Sequence, residues 1–363
     1  MASASGISLS QFLTLLNATR DYFIPDKLTM TLTYPRYEVI NDILRNRKKT
    51  ATGERYTTNI QLENATNGGA VGMFFVQDVS NIYDTDQKII SEWKHYTNNV
   101  SYDLAQIDIN RGDKIKEYDY IKSQKMAMYR KTADDIQEQW WSAPATSSDA
   151  TSIFGPPCWL TKGTDNSTGG FTGTSGYYLD GNTFDCGGKS ASTYPKWASY
   201  YADHNGNLNE TLLDMMGDAN RATDFEAPLI PAGTVSGVET AVPKKVVYYT
   251  TNNVIKQVEK IARNSDDRIG FDLGKYAGET LYKGIPFRYV KQLDTASTYL
   301  WGTDPIYAIN FDVLYPVVLQ NWYFRTDEGK NAFAHNVVTE YVDLYWLVHC
   351  ENRQGVGYLI DQQ

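Results

Sequence analysis

The clearest periodic pattern in the chain runs from residue 113 to residue 141, where apolar positions recur about every 3.6 residues with charged residues between them. This stretch has no Gly or Pro and is rich in Lys, Glu, Gln, Met and Ala, which favour helices. Ser142-Ala143-Pro144 ends the pattern. We predict a helix of about 40 to 45 Å that packs one apolar face on the C-terminal strands. That face carries Ile115, Ile121, Met128, Ile136 and Trp140.

A different pattern follows Glu54. Alternating apolar and polar positions from Tyr56 to Leu62 predict a strand, and the stretch from Tyr102 to Ile109 predicts a returning strand. The segment between them contains a turn signal, followed by a short apolar run. A two-stranded excursion of this length has little core of its own, so we expect another copy of the chain to cover it. The predicted assembly contacts are Gly68, Gly69, Met73, Phe74, Phe75 and Val76.

The remaining segments differ in character. Residues 1–53 read as a mostly extended arm that ends in a basic cluster at 45–49, which is either a solvated turn or a nucleic-acid contact. Residues 143–207 are rich in Gly, Ser, Thr and Asn, whereas 208–312 alternate helical and strand patterns. Within the latter, Thr251 or Asn252 can cap a helix, and the run from Leu281 to Phe287 predicts a tight hairpin with Gly284 at its turn. In the last segment, alternation from Val342 to Cys350 predicts a strand. Together these patterns predict an α+β fold.

The composition of the chain restricts the classes of function that fit it. The 27 Tyr and 8 Trp either fill the core or enrich protein–protein interfaces. The formal net charge of -9 argues against avid binding of phosphate backbones. No run of 18 apolar residues is present, so we expect no membrane span. The N-terminus is a poor signal peptide, and three cysteines make a disulfide framework unexpected.

No catalytic motif is present in the sequence. The four His residues have no HExxH spacing, and Walker A, Gly-x-Ser-x-Gly and dinucleotide-binding fingerprints are all missing. His349 and Cys350 are neighbours on a predicted strand, so their side chains point to opposite faces and cannot form a dyad. We therefore predict no catalytic residue, no cofactor and no metal site.

Several segments, in this order, resemble the major capsid proteins of tailed double-stranded DNA phages with the Hong Kong 97-like fold. The resemblance is strongest over about 110 to 360, and the residues that carry it are structural. They are Gln139-Trp140-Trp141, the run from Gly155 to Lys162, Tyr194-Pro195-Lys196-Trp197, the runs Ile306 to Phe311 and Leu314 to Val317, and the run from Val342 to Arg353.

The resemblance implies a domain order. It assigns an N-terminal arm to 1–53, an extended loop to 54–109, and a peripheral domain with a long spine helix and a Gly-rich segment to 110–207. An axial domain follows at 208–312, and 313–363 supply the closing strands of the peripheral domain. These boundaries are the expectation with which the structure is compared below.

It also implies a function. Copies of the chain would assemble in the host cytoplasm as hexamers and pentamers, forming an icosahedral virion head around DNA contacted without sequence specificity. Portal and scaffolding proteins, and a cement protein in some particles, are the implied partners, with no membrane involved. Two alternatives remain open at this point: another structural protein of the particle, such as a cement or tail component, and an enzyme of an unfamiliar class.

Overall fold

The computed structural model describes ten ranges of the chain, and every structural statement below concerns these residues. They are 38–50, 53–62, 86–104, 114–163, 168–224, 245–265, 280–294, 300–327, 330–331 and 336–362. The chain divides into two compact units. The first comprises 1–53, 93–139 and 317–346, and the second comprises 54–92, 140–316 and 347–363.

The helices and strands are numbered here in chain order. The α-helices of the described residues are α1 Glu38–Arg45, α2 Lys114–Trp140, α3 Pro156–Trp159, α4 Glu210–Thr223 and α5 Asn252–Ser265. The first strands are β1 Lys48–Thr50, β2 Arg55–Gln61, β3 Asp86–Glu92, β4 Lys94–Asp103, β5 Gly170–Gly173, β6 Gly176–Tyr177, β7 Thr183–Phe184 and β8 Ser199–Asp203. The later strands are β9 Val246–Thr250, β10 Leu281–Tyr282, β11 Ile285–Tyr289, β12 Thr303–Asn310, β13 Leu314–Leu319, β14 Arg325–Thr326, β15 Lys330–Asn331, β16 Val337–Cys350 and β17 Gly357–Gln362.

The first unit is built around a six-stranded sheet in the order β1-β13-β16-β14, with β15 and β4 also paired to β16. Strand β4 runs antiparallel to β16 along its whole length, from Asp103 opposite Val337 to Lys94 opposite Trp346. β13 tolerates Pro316 because its parallel neighbour β1 pairs only with residues 317–319, beyond the proline.

Helix α2 confirms the long helix expected from the sequence, with bounds that differ from the predicted ones by one residue at each end. Ile121 and Met128 are buried in a cluster with Val100, Tyr102, Val338 and Val342 of β4 and β16. Ile136 and Trp140 are also buried, whereas Ile115 lies on the helix at a position whose side chain falls outside the described part. One helix face therefore packs on a sheet formed largely by the C-terminal strands.

The second unit contains a seven-stranded sheet in the order β10-β11-β9-β12-β17-β8-β5. Helices α4 and α5 contribute Leu212, Met216 and Val254 to the buried cluster on this sheet. The side chain of Asn209 accepts a hydrogen bond from the amide of Thr211 and caps α4. The sheet gains the strands β8 and β17 from outside the predicted 208–312 segment, because β17 pairs in parallel with β8. Sequence patterns do not reveal such distant pairing.

The hairpin expected at Gly284 is present. Strands β10 and β11 pair Leu281 with Pro286 and Tyr282 with Ile285, which leaves a two-residue turn. Lys283 and Gly284 both have positive φ angles, 50° and 79°, as this tight hairpin turn requires. Among the described helices, none combines the length and apolar character needed to cross a membrane.

A buried arginine holds the Gly-rich segment in the second unit. The side chain of Arg353 is fully buried and donates hydrogen bonds to backbone carbonyls and hydroxyls rather than to a carboxylate. Its acceptors are the carbonyl oxygens of Trp159, Gly173, Thr174 and Trp197 and the Oγ atoms of Thr161 and Ser199. Gly173 permits this close approach, since a Cβ there would lie 2.1 Å from Ser199 Oγ.

Candidate assembly site

Strands β2 and β3 of the second unit form a ribbon whose residues are exposed at alternate positions. The two strands pair antiparallel with each other, from Arg55 opposite Glu92 to Gln61 opposite Asp86. Among the described strands, each pairs only with the other, so both outer edges of the ribbon are open. The ribbon leads into residues 63–85. All six predicted assembly contacts (Gly68, Gly69, Met73, Phe74, Phe75 and Val76) lie there, outside the described residues.

His349 anchors the inner face of this ribbon to its own chain. Its Nε2 lies 2.7 Å from Thr58 Oγ1 of β2, and its Nδ1 lies 2.9 Å from Ser91 Oγ of β3. The ring of Tyr56 meets the imidazole edge-on at a centroid distance of 4.8 Å. Since His349 is fully buried, these two hydroxyl contacts satisfy both ring nitrogens and fix the base of the ribbon.

A second polar group lies beside the imidazole. The hydroxyl of Tyr315 donates to Glu351 Oε1 at 2.5 Å and lies 3.4 Å from the hydroxyl of Tyr56. Burial, followed by the hydrogen bond to Glu351, raises the pKa of Tyr315 well above its usual value. Tyr315 therefore stays protonated and remains a hydrogen-bond donor over the whole physiological pH range.

The Gly-rich segment also contacts the ribbon, through strand β3. Lys189 Nζ donates to Gln87 Oε1 at 2.7 Å. Ile89 is fully buried, and a Cβ added to Gly187 would lie 2.6 Å from Ile89 Cγ2. The backbone of Gly187 has a positive φ of 62°. A glycine is therefore required at this position, both for its backbone conformation and for its contact with β3.

The outer face of the ribbon is exposed and mixed in charge. Arg55 Nη2 lies 3.6 Å from Glu92 Oε1, with both side chains more than half exposed. Ile90 projects from the same face with 40% of its surface exposed. Solvent-exposed ion pairs of this kind contribute little to stability, so they can rearrange at little cost when another molecule contacts this face.

The structure revises the expectation that the whole 54–109 segment is an excursion without cover of its own. The ribbon ends at Glu92, and β4 from Lys94 belongs to the sheet of the first unit. The inner face of the ribbon packs on its own chain through His349. Sequence reasoning missed His349 as an anchor. The available signal was a histidine between Val348 and Cys350 in an apolar strand, which needs buried polar partners.

Comparisons of the sequence with known proteins found no match, whereas comparisons of the structure did. No family model matches the chain, and no curated protein matches it. Solved structures do match. A chain of the capsid asymmetric unit of cyanophage A-1(L) superposes with a TM-score of 0.63 at 12% sequence identity, covering 89% of this chain and 92% of that one.

This chain has the Hong Kong 97-like capsid fold. Chains from the capsids of a native and an empty GTA particle match as well, each with a TM-score of 0.51 and with identities of 8% and 11%. They cover 88% and 91% of this chain and 89% and 91% of their own lengths. In the Hong Kong 97-like fold, α2 corresponds to the spine helix.

Proposed function

We propose that this chain is a major capsid protein, which assembles as hexamers and pentamers into the icosahedral head of a tailed phage and encloses double-stranded DNA. One observation carries the proposal: the match to a cyanophage capsid chain extends over about nine tenths of both chains. A match of this extent leaves little of the chain for a separate catalytic domain. The protein therefore acts as a structural component of the virion.

The proposal includes partners of several kinds. Copies of the chain contact one another within and between capsomers, while a scaffolding protein and a portal guide assembly in the host cytoplasm. A cement protein joins the outside of the particle in some heads of this kind. The packaged DNA is contacted through its backbone, without sequence specificity.

Residues 63–85 supply the contact between neighbouring copies. The inner face of the ribbon contacts His349, Lys189 and Gly187, whereas its outer face is exposed and no other described strand pairs with its edges. An open strand edge gains hydrogen bonds when another chain pairs with it or covers it. The apolar run from Met73 to Val76 gains further by leaving water against that neighbour.

The first test is assembly, followed by negative-stain electron microscopy of the purified chain with its scaffold. We expect closed shells from the parent chain and none from a Phe74→Asp/Phe75→Asp variant, whose unassembled chain stays folded. Leu179→Asp/Leu281→Asp is the matched control, because both leucines are exposed by about 40% in the second unit. A parent chain that forms no shells contradicts the capsid proposal, whereas shells from the Phe variant contradict only the loop contact.

Hydrogen exchange tests the loop more directly. Amides of 63–85 should exchange quickly in the free subunit and slowly in the shell. Amides of the β2–β3 ladder should be protected in both states, because their hydrogen bonds lie within one chain. Equal protection of 63–85 in both states would mean that the segment packs on its own chain.

A further inference from the structure

An acidic chain carries a concentrated cationic surface on its first unit. The protein has 34 Lys and Arg against 43 Asp and Glu, yet four cations occur within five residues at the end of α1 and in β1. They are Arg45, Arg47, Lys48 and Lys49. Arg45, Lys48 and Lys49 are exposed, and β1 is the terminal strand of its sheet among the described strands. The charge is thus displayed along a sheet edge.

Aromatic rings lie against two of these cations and against a third cation, Arg325. Arg47 Cζ lies 4.3 Å and Lys49 Nζ 5.5 Å from the centroid of the Tyr323 ring. Arg325 Cζ lies 4.5 Å from the centroid of the Trp322 ring. A contact with an aromatic face orders a long cationic side chain without neutralising its charge, unlike a contact with a carboxylate. We refer to Arg47, Lys49, Trp322, Tyr323 and Arg325 as the cationic strip.

The surroundings of the strip include two carboxylates. Asp327 Oδ1 lies 3.5 Å from Arg325 Nη2, with both side chains partly exposed. Asp343 Oδ1 lies 3.2 Å from His95 Nε2, and His95 stacks on Tyr345 beside Trp322. Neither carboxylate contact involves Lys49, whose described partner is the Tyr323 ring. The three cations of the strip, Arg47, Lys49 and Arg325, outnumber these two carboxylates.

We propose that the cationic strip binds the phosphate backbone of double-stranded DNA. Lys and Arg side chains neutralise phosphates and release bound counterions, and this charge supplies most of the non-specific affinity for DNA. A contact with the phosphate backbone carries no sequence information, so we expect binding to be independent of sequence. The inference rests on the proposed function for the source of this DNA, which is the packaged genome.

The test compares two variants that each lose three positive charges. Arg47→Gln/Lys49→Gln/Arg325→Gln alters the strip, and Lys196→Gln/Lys256→Gln/Lys260→Gln alters exposed lysines of the second unit. Binding of the unassembled chain to a fluorescent duplex of random sequence is measured by anisotropy between about 50 and 200 mM salt. The strip variant should lower the slope of log K against log salt by about 2 to 3, roughly 0.9 per lost phosphate contact. The control variant should keep the slope of the parent.

The outcomes separate the two proposals. A strip variant that binds DNA like the parent overturns the inference, as does a parent chain that binds no DNA at about 50 mM salt. Shell formation by the same variants is measured in parallel by electron microscopy. If the strip variant loses shells while the control keeps them, the strip binds an acidic surface of another copy, and the inference is overturned. Lost DNA binding with normal shells supports it. DNA binding is measured on unassembled chains. The DNA-binding result can therefore be interpreted even if the parent forms no shells.

Discussion

Individual buried charges of this protein have defined partners. In the first unit, Lys125 Nζ on α2 lies 3.1 Å from Glu340 Oε2 on β16, and both side chains are almost completely buried. The hydroxyl of Tyr102 lies 3.5 Å from the same carboxylate oxygen. An ion pair in such a place links the spine helix to the C-terminal strand at one register, because sliding either element would leave a buried charge without its partner.

Glu340→Gln should therefore destabilise the chain by about 3 to 5 kcal/mol, because it leaves the Lys125 ammonium buried beside a neutral group. Asp218→Asn is the matched control, since it removes the acidic partner of Arg221 in a pair that is more than half exposed. That change should cost less than about 1 kcal/mol. Urea unfolding of the unassembled chain measures both values. Equal losses in the two variants would show that burial does not strengthen the Lys125–Glu340 link.

At the scale of elements, close approaches of backbone depend on glycines. Gly155, just before α3, packs against the end of α2, and a Cβ there would lie 2.1 Å from the carbonyl oxygen of Trp140. Gly217 lies inside α4, where the nearest atom to an added Cβ is Tyr282 Oη at 3.5 Å. The same substitution therefore meets a backbone clash at one position and ordinary contact at the other.

We expect Gly155→Ala and Gly217→Ala to shift stability in opposite directions. Gly155→Ala forces the α2 terminus and the following turn apart and should destabilise by about 1 to 3 kcal/mol. Gly217→Ala should stabilise by up to about 1 kcal/mol, since Ala has the higher helix propensity. Thermal unfolding of the two variants beside the parent gives the comparison. A stabilised Gly155→Ala would contradict the close packing of Gly155 on Trp140.

Periodicity in the sequence predicts some helices and strands but not the partners with which strands pair. The 3.6-residue pattern located α2 because one face of a long helix packs on a sheet while the other meets water. Thr251 caps α5 through Val254, as the sequence suggested. Tyr102 alternates like a loop strand, but β4 pairs with β16, more than 200 residues away, and local pattern carries no signal for that partner.

At the scale of the whole molecule, buried tyrosines make the free energy of unfolding depend on pH in the alkaline range. Burial raises the pKa of Tyr307 and Tyr358 well above its usual value. The pKa of the exposed Tyr289 is also raised, to about 12, by its hydrogen bond to Asp294 and then by burial, but Tyr289 is not one of the buried tyrosines. In the unfolded chain these phenols lose protons near pH 10, whereas the folded chain keeps them. The folded state then binds more protons, so stability is present below about pH 10 and falls as pH rises above it.

The free energy of unfolding should therefore decrease between about pH 10 and 12, by up to about 1.4 kcal/mol per pH unit for each buried tyrosine. Tyr358→Phe should make this slope shallower than that of the parent, because it removes one fully buried phenol. Urea unfolding at several pH values gives the slope, and absorbance near 295 nm reports ionisation. A slope unaffected by Tyr358→Phe would show that Tyr358 ionises in the folded state.

The sequence by itself determined the α+β class, the spine helix, the hairpin at Gly284 and the absence of familiar catalytic motifs. Each of these rests on neighbours within a few turns or a short strand, where periodicity, capping and turn chemistry act locally. The order of motifs also predicted the Hong Kong 97-like fold, which the capsid structures confirm. The boundaries of the arm, loop and domains remain predictions.

Only the tertiary structure decided which distant segments share a sheet and which polar residues have buried partners. Strand β17 joins β8 and β12, and β4 joins β16, through hydrogen bonds that any strand can offer to any other. His349 and Arg353 looked like ordinary polar residues in a strand and a turn. Their roles depend on hydroxyls and carbonyls that only the folded chain brings within hydrogen-bond distance.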